Sequence, residues 1–256
     1  MLARKECRMS VETTMRIERE RAYHNSRFSE EVRDAQGKYY ASIKHGAARF
    51  DSRIRHLAQD ADILEYGCGS AIQGLGLAKV ARSLTGIDIS DVAIADARAG
   101  ALDHGLTNAR YETMDAEDMT FPDAAFDLVF GRGIIHHLDL ERCFASVSRV
   151  LKPGGVALFW EPLGHNPVLN KYRDRTPEAR TPDEHPLLKA DFDLADRFFA
   201  LSTLQFYGLT TIASVPIRDT RIGDALLAVT AKIDAALFLT PVKWLAWYCL
   251  IELRKG

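Results

Sequence analysis

The sequence has 256 residues, 47% hydrophobic and 27% charged, which is typical of a globular protein with a large buried core. Its formal net charge of -2 gives no electrostatic reason to expect a polyanionic partner, so we expect neither DNA nor RNA. The four cysteines are scattered without a CxxC pair. This pattern argues against a disulfide framework and favours reduced thiols in the cytoplasm.

The N-terminal part of the sequence is dense in charges of both signs. Residues 1–36 lack the uninterrupted apolar core of a secretory signal, so we expect no export. Charged residues with helix-like spacing continue to about residue 59. We interpret residues 1–60 as an N-terminal helical lid.

Short apolar strands alternate with helices after residue 60. The predicted strands are DILEYG, SLTGIDIS, ARYETMD, FDLVFGRG and GGVALFWEP, and the predicted helices are Ile72–Ser83, Asp91–His104 and Leu140–Leu151. Strict alternation of this kind indicates a parallel, doubly wound α/β sheet. We therefore interpret residues 61–256 as one core domain.

The regular alternation of strands and helices stops after the fifth predicted strand. Residues 163–200 are rich in proline and polar side chains and are longer than an ordinary connection, so we interpret them as an insertion that covers the substrate. A helix at Leu194–Ala200, a strand near Gln205–Val215, a helix near Ile222–Leu239 and the strand AWYCLIELR are expected to follow. Together these elements predict a mostly parallel, seven-stranded, Rossmann-like sheet.

One apolar stretch, Ala235–Ile251, could suggest a membrane span. It contains Pro241 and Lys243 and is shorter than the roughly 20 residues that a bilayer requires. We expect a buried helix followed by a strand at this position.

Glycines and acids stand at the ends of the predicted strands, where an open α/β sheet binds its ligands. Gly67 and Gly69 would allow the backbone to approach a ligand closely. Asp88 ends the second strand, 21 residues after Gly67, where a carboxylate can accept both hydroxyls of a ribose. The spacing predicts a nucleotide site.

Two kinds of cofactor fit such a site. The dinucleotide fingerprint requires a third glycine where this chain has Ile72, and Glu65 would repel a pyrophosphate. An acid suits the ammonium and sulfonium of S-adenosylmethionine (SAM) better. Two alternatives with a different function remain. One is a NAD-dependent oxidoreductase, and the other is a SAM-binding module without catalysis.

Four segments, ILEYGCGSA, GIDIS, MDAEDMTFPDAAFDLVFGRGIIHHL and LKPGGVALFWEP, together resemble the successive motifs of class I SAM-dependent methyltransferases that modify small molecules. The resemblance covers about residues 61–162 and implies SAM as the cofactor. The segment SAIQG departs from the family, in which a glycine often continues the turn. The residues that the resemblance implies in SAM binding are Glu65, Gly67, Cys68 and Gly69 at the methionine end, Asp88 at the ribose, Ile89 on the adenine face, Asp115 and Ala116 at the adenine edge, and Arg132 and His136 near the sulfonium.

Methyl transfer needs alignment, and a base where the acceptor must lose a proton. The candidates that lie on or after the fifth strand are Glu161, His165, Asn166, Tyr172 and His185. Because histidine titrates near neutral pH, His165 is our first catalytic candidate and His185 our second. His136 and His137 lack further ligands at chelating spacing, so we expect no metal site.

The sequence therefore predicts a SAM-dependent methyltransferase that acts on a small molecule, with a hydroxyl or carboxylate oxygen as the preferred acceptor. A carbon or nitrogen acceptor on a hydrophobic or lipid-linked metabolite is the alternative. A homo-oligomer is left open.

Overall fold

The computed structural model describes residues 14–25, 39–176, 181 and 184–256. The other parts of the expected lid and insertion lie outside these residues. The helices are α1 (residues 14–25), α2 (Lys44–Leu57), α3 (Ile72–Leu77), α4 (Asp91–Asp103), α5 (Leu140–Val150), α6 (Pro167–Arg173), α7 (Lys189–Ala195) and α8 (Arg221–Leu237). Short 3-10 helices cover Ala41–Ile43, Ile135–His137, Thr210–Ile217 and Pro241–Leu245. The strands are β1 (Asp62–Tyr66), β2 (Ser83–Asp88), β3 (Ala109–Thr113), β4 (Phe126–Arg132), β5 (Leu151–Pro162), β6 (Leu201–Tyr207) and β7 (Tyr248–Arg254).

The strands form one seven-stranded sheet in the order β3-β2-β1-β4-β5-β7-β6. The first five strands pair in parallel, whereas β7 runs antiparallel to both β5 and β6. This arrangement confirms the predicted Rossmann-like, mostly parallel fold. It also brings the carboxyl ends of β1, β2 and β4 to one edge of the sheet, where ligands bind in such folds.

The sequence prediction was least accurate after the fifth strand. The helix expected at Leu194–Ala200 instead covers Lys189–Ala195, and the strand expected near Gln205–Val215 covers Leu201–Tyr207. Gly208 ends this strand with a φ of 82°, and a 3-10 helix follows it. The apolar residues beyond Gly208 were predicted to continue the strand, but they form the 3-10 helix Thr210–Ile217 instead.

The apolar stretch near residue 240 folds as a helix end, a 3-10 turn and a strand. Helix α8 ends at Leu237 and β7 begins at Tyr248. Within the described parts of the chain, every helix is too short or too polar to cross a bilayer.

Two hydrophobic clusters cover the two faces of the sheet, because successive strand residues point to opposite sides. One cluster includes Phe50 and Ile54 of α2, and both side chains are completely buried. Gly46 allows α2 to approach the sheet closely, since a β-carbon there would overlap the ring of Trp160. Helix α2 therefore packs as a layer of the core, within the range 1–60 that the sequence analysis interprets as a lid.

The expected insertion also contributes to the core. Phe192 and Ala195 of α7 are buried in the cluster on the other face of the sheet. Asn166 begins α6 as its N-cap, with its side-chain oxygen accepting from the amide of Val168 at 3.0 Å. Asn166 is therefore a structural residue of this segment.

Candidate active site

A cavity of about 1170 Å³ opens at the carboxyl ends of the parallel strands. It is lined by all the residues that the resemblance implies in SAM binding, which are Glu65, Gly67, Cys68, Gly69, Asp88, Ile89, Asp115, Ala116, Arg132 and His136. The parallel order of β1, β2, β3 and β4 brings these distant residues together. The predicted cofactor residues thus share one cavity.

The loop after β1 is held by the end of β2. Gly67 and Gly69 have φ values of 70° and 52°, and Ala71 has a φ of 57°. The last value lies in the left-handed region that favours glycine, at the point where the sequence departs from the family. The amide of Gly69 donates to Asp88 Oδ2 at 2.8 Å, and the amide of Ser90 donates to Asp88 Oδ1 at 2.9 Å. Because each carboxylate oxygen has a second lone pair, Asp88 can brace the loop and still accept a ribose hydroxyl.

Glu65 is buried beneath this loop, and its Oε2 has no hydrogen bond from any described residue. Burial, followed by the nearby charge of Asp88, raises the pKa of Glu65 to about 8, against a lowering by the amide of Gly74. A cationic ligand group would supply the missing counter-charge. The site therefore fits the positively charged methionine end of SAM.

The segment after β3 is fixed by hydrogen bonds from both sides. Asp115 Oδ1 accepts from the amide of Glu117 at 2.8 Å, and the carbonyl of Ala116 accepts from the buried hydroxyl of Tyr66 at 2.6 Å. At the rim of the cavity, Arg132 donates to Asp51 at 2.6 Å. Hydrogen bonds therefore hold Asp115 and Ala116, the residues expected at the adenine edge, in place.

A histidine and a glutamate form a buried pair at the opposite wall of the cavity. His136 Nδ1 lies 2.6 Å from Glu161 Oε2. Glu161 Oε1 accepts from the amides of Ile134 and Ile135 at 2.9 and 3.1 Å. Burial raises the pKa of Glu161 to about 7. An ionised Glu161 would hold the ring through a proton on Nδ1 and leave the lone pair on Nε2. We name this pair the His136–Glu161 dyad.

The electrostatic surroundings keep the dyad histidine neutral. Burial, and then the neighbouring His137, lower the pKa of His136 well below its usual value. Its Nε2 lies 3.8 Å from Glu184 Oε1, beyond hydrogen-bond distance. A proton accepted by Nε2 would be stabilised by the two flanking carboxylates.

The two histidines predicted as bases, His165 and His185, lie outside the lining of this cavity. His165 is exposed, and its Nε2 accepts from the amide of Lys189 at 2.9 Å. His185 is also exposed, and only its backbone amide contacts the site, by donating to the carbonyl of His136 at 2.8 Å. Neither residue lines the cavity. Position in the sequence could not reveal the direction of these side chains.

Aromatic side chains form the other wall. The Tyr40 and Trp247 rings are stacked with their centroids 5.5 Å apart, and those of Trp160 and Tyr248 are stacked at 5.0 Å. All four residues line the cavity, and so does Tyr172. This part of the cavity suits an apolar or aromatic molecule.

Helix α1 contributes residues to the cavity that no local pattern in the sequence singled out. Arg16 forms an ion pair with Glu117 at 2.5 Å and donates to the carbonyl of His137 at 3.0 Å. Glu20 and His24 also line the cavity. More than a hundred positions separate Arg16 from its partners, so no local signal could connect them.

A family model described as a methyltransferase domain matches residues 64–159. The chain is 28% identical over 122 residues to the uncharacterized methyltransferase YcgJ of Bacillus subtilis. This alignment covers 47% of this chain and 48% of YcgJ. It is 30% identical to a sterol 24-C-methyltransferase of Aspergillus fumigatus (62% of this chain, 40% of the relative). It is also 30% identical to a ubiquinone biosynthesis O-methyltransferase of Coxiella burnetii (41% and 44%). The chain thus spans less than half the length of these curated relatives.

The crystal structure of YcgJ superposes with a TM-score of 0.58 over 81% of this chain and 98% of YcgJ, at 17% identity. This similarity shows the shared fold. Together with the family match and the cavity, it confirms the expected family and its cofactor, SAM. Residues 64–159 therefore carry a methyltransferase domain, within a chain that has the fold of YcgJ.

Proposed function

We propose that this protein transfers the methyl group of SAM to an oxygen of an apolar small molecule, with His136 as the base. The observation that carries the proposal is the His136–Glu161 dyad, whose histidine lines the same cavity as the residues expected to bind SAM. SAM supplies an electrophilic methyl group when bound. The described part of α1 lines the same cavity, so we propose that it serves as the lid.

The dyad has the geometry of a general base. Glu161 fixes the ring and its tautomer, and Nε2 of His136 can accept the proton of an acceptor hydroxyl. The imidazolium so formed would lie between the carboxylates of Glu161 and Glu184. Glu161 is a positioning residue, because it acts on the acceptor through His136.

The walls of the cavity favour an acceptor with a large apolar body. Trp160, Trp247 and Tyr248 offer flat apolar surfaces, and the cavity is large enough for a cofactor and a second molecule. A phenol or another aromatic hydroxyl would satisfy both requirements, since its ring could stack and its hydroxyl could reach the base. A related protein named as an O-methyltransferase supports this acceptor atom.

A carbon acceptor is the second candidate, favoured by the same aromatic wall. Methylation of an alkene leaves a carbocation, which aromatic faces stabilise by cation–π attraction. The relative named as a sterol 24-C-methyltransferase supports this alternative. The dyad would then remove a proton after methyl transfer.

The cofactor is tested by thermal shift with SAM, S-adenosylhomocysteine and NAD. We expect both SAM-type ligands to stabilise the protein and NAD to have no effect. Stabilisation by NAD alone would overturn the methyltransferase function. Binding of SAM without methyl transfer to any acceptor would instead support a binding module.

The base is tested with labelled SAM and a panel of apolar phenols and alkenes. His136→Ala should lower kcat by roughly 10²–10⁴-fold, the usual contribution of a positioned base, and change the Kd for SAM far less. Glu161→Gln should lower kcat with little change in KM, and Glu161→Asp should restore part of the loss. His165→Ala is the matched control and should retain wild-type turnover. Normal turnover by His136→Ala would refute the base.

A further inference from the structure

A second group of titratable side chains lies where α1 meets the core. Glu20 and His24 come from α1, and His137 comes from the 3-10 turn after β4. One side-chain ligand atom of each residue lies within 4.8 Å of the others. The function proposed above assigns no role to this cluster, which we name the α1 triad.

Glu20 is the unusual member of the α1 triad. The residue is only 6% exposed, yet neither carboxylate oxygen has a hydrogen bond from the described residues. Two imidazole nitrogens, His24 Nε2 and His137 Nδ1, each lie 3.4 Å from Glu20 Oε2. This separation exceeds that of a good N–H···O bond. Thr181 also lies beside this cluster, with its Oγ1 3.4 Å from His137 Nδ1. Because none of the contacts to the Glu20 carboxylate has good hydrogen-bond geometry, the arrangement calls for a further partner.

The same distance suits two ligands of one metal ion. Ligand atoms about 2.1 Å from a tetrahedral zinc ion are about 3.4 Å apart. The rings of His24 and His137 are inclined at 75°, with their centroids 5.5 Å apart, so they do not stack on each other. Both nitrogens therefore converge on the carboxylate from different directions.

We propose that Glu20, His24 and His137 bind a zinc ion. Two imidazoles and one carboxylate are a common ligand set of zinc, whereas magnesium and calcium prefer oxygen ligands. Three protein ligands leave further coordination positions open, and all three residues line the cavity. This proposal departs from the sequence-based expectation of no metal site at the adjacent histidines, since Glu20 and His24 would supply the further ligands from a distant helix.

The zinc ion would tie α1 to the core. Glu20 and His24 are four residues apart and lie on one side of α1, whereas His137 belongs to the turn that carries the dyad histidine. A metal that joins them would hold α1 over the cavity. Without the metal, the ion pair of Arg16 with Glu117 would be a main attachment of this helix.

The test uses the full chain, freed of metal by a chelator and then dialysed. Titration calorimetry with zinc should give one equivalent, and cobalt as a probe should give the visible bands of a tetrahedral complex. Glu20→Gln, His24→Ala and His137→Ala should each weaken zinc binding by roughly a hundredfold or more, since even outer partners of metal ligands contribute roughly 10–100-fold. His104→Ala is the control, because this exposed histidine bonds only to its own helix.

Hydrogen exchange supplies a second readout that needs no activity. Zinc should slow exchange in residues 14–25 of the wild type and have no such effect in Glu20→Gln. Absence of stoichiometric binding, or binding that all three variants retain, would overturn the zinc site. The α1 triad would then be a proton-sharing cluster between the helix and the core.

Discussion

The buried Glu65 carboxyl should make the affinity for SAM depend on pH. Its pKa in the free protein is raised to about 8 by burial, with the charge of Asp88 adding to the effect. Below this pH the free protein holds a proton on Glu65, while a cationic ligand favours the ionised form. Binding of SAM must therefore release a proton. The affinity for SAM should rise with pH up to about 8 and stay constant above it.

The size of the effect follows from one released proton. A full proton changes the dissociation constant roughly tenfold per pH unit, which is about 1.4 kcal/mol. Lowering the pH from about 8 to about 6 should thus weaken SAM binding by up to roughly a hundredfold. Calorimetry in buffers of different ionisation enthalpy measures both the affinity and the number of protons released.

Glu65→Gln isolates the contribution of this carboxyl. The α-amino group of SAM also titrates near pH 8, but it does so equally with both proteins. The variant should lose most of the pH dependence and release fewer protons. Equal slopes for the wild type and Glu65→Gln would refute the reasoning.

The same group affects stability in a defined direction. Because its pKa rises from 4.5 to about 8 on folding, the contribution of Glu65 to stability is present below about pH 4.5 and is lost as the pH rises towards about 8. Denaturant unfolding of the free protein should show this decline, and Glu65→Gln should lack it.

Three further substitutions test other contacts. Asp88→Ala should weaken SAM binding roughly ten- to a hundredfold by calorimetry, because charge-assisted hydrogen bonds are lost; unchanged affinity would mean that Asp88 only braces the loop. Gly46→Ala should lower the free energy of unfolding by about 1–3 kcal/mol, because the methyl group would overlap Trp160; a more stable variant would show that the ring moves aside. Asp234→Ala should lower the urea midpoint, since its carboxylate accepts from three backbone amides, whereas the exposed Asp224→Ala should have little effect.

Much of the fold could be predicted because its signals are local. The first five strands are apolar runs bounded by turns, and their alternation with helices determines a parallel sheet. The residues proposed to bind the cofactor could be selected for the same reason, since Gly67, Asp88 and Arg132 stand at or just after strand ends. The fold itself brings such positions to one edge.

The chemistry of the acceptor side depends on contacts that are distant in sequence. Glu161 was a candidate, but its pairing with His136 depends on the parallel register in which Arg132 lies beside Trp160. His165 was preferred as a base because of its side chain alone, and the structure directs it to solvent. Glu20 meets His137 across more than a hundred positions, so no spacing rule could identify the contact.

The place of β7 in the sheet has a consequence for how the protein folds during synthesis. Among the described residues, strand β6 pairs only with β7, which follows it in the chain after α8 but lies between β6 and β5 in the sheet. While the ribosome is still making α8, β6 has no neighbour to receive its backbone hydrogen bonds. The five parallel strands can pair earlier, because each neighbour is already available. We therefore expect folding in two stages, with an exposed strand edge on β5 that is prone to association until β7 emerges.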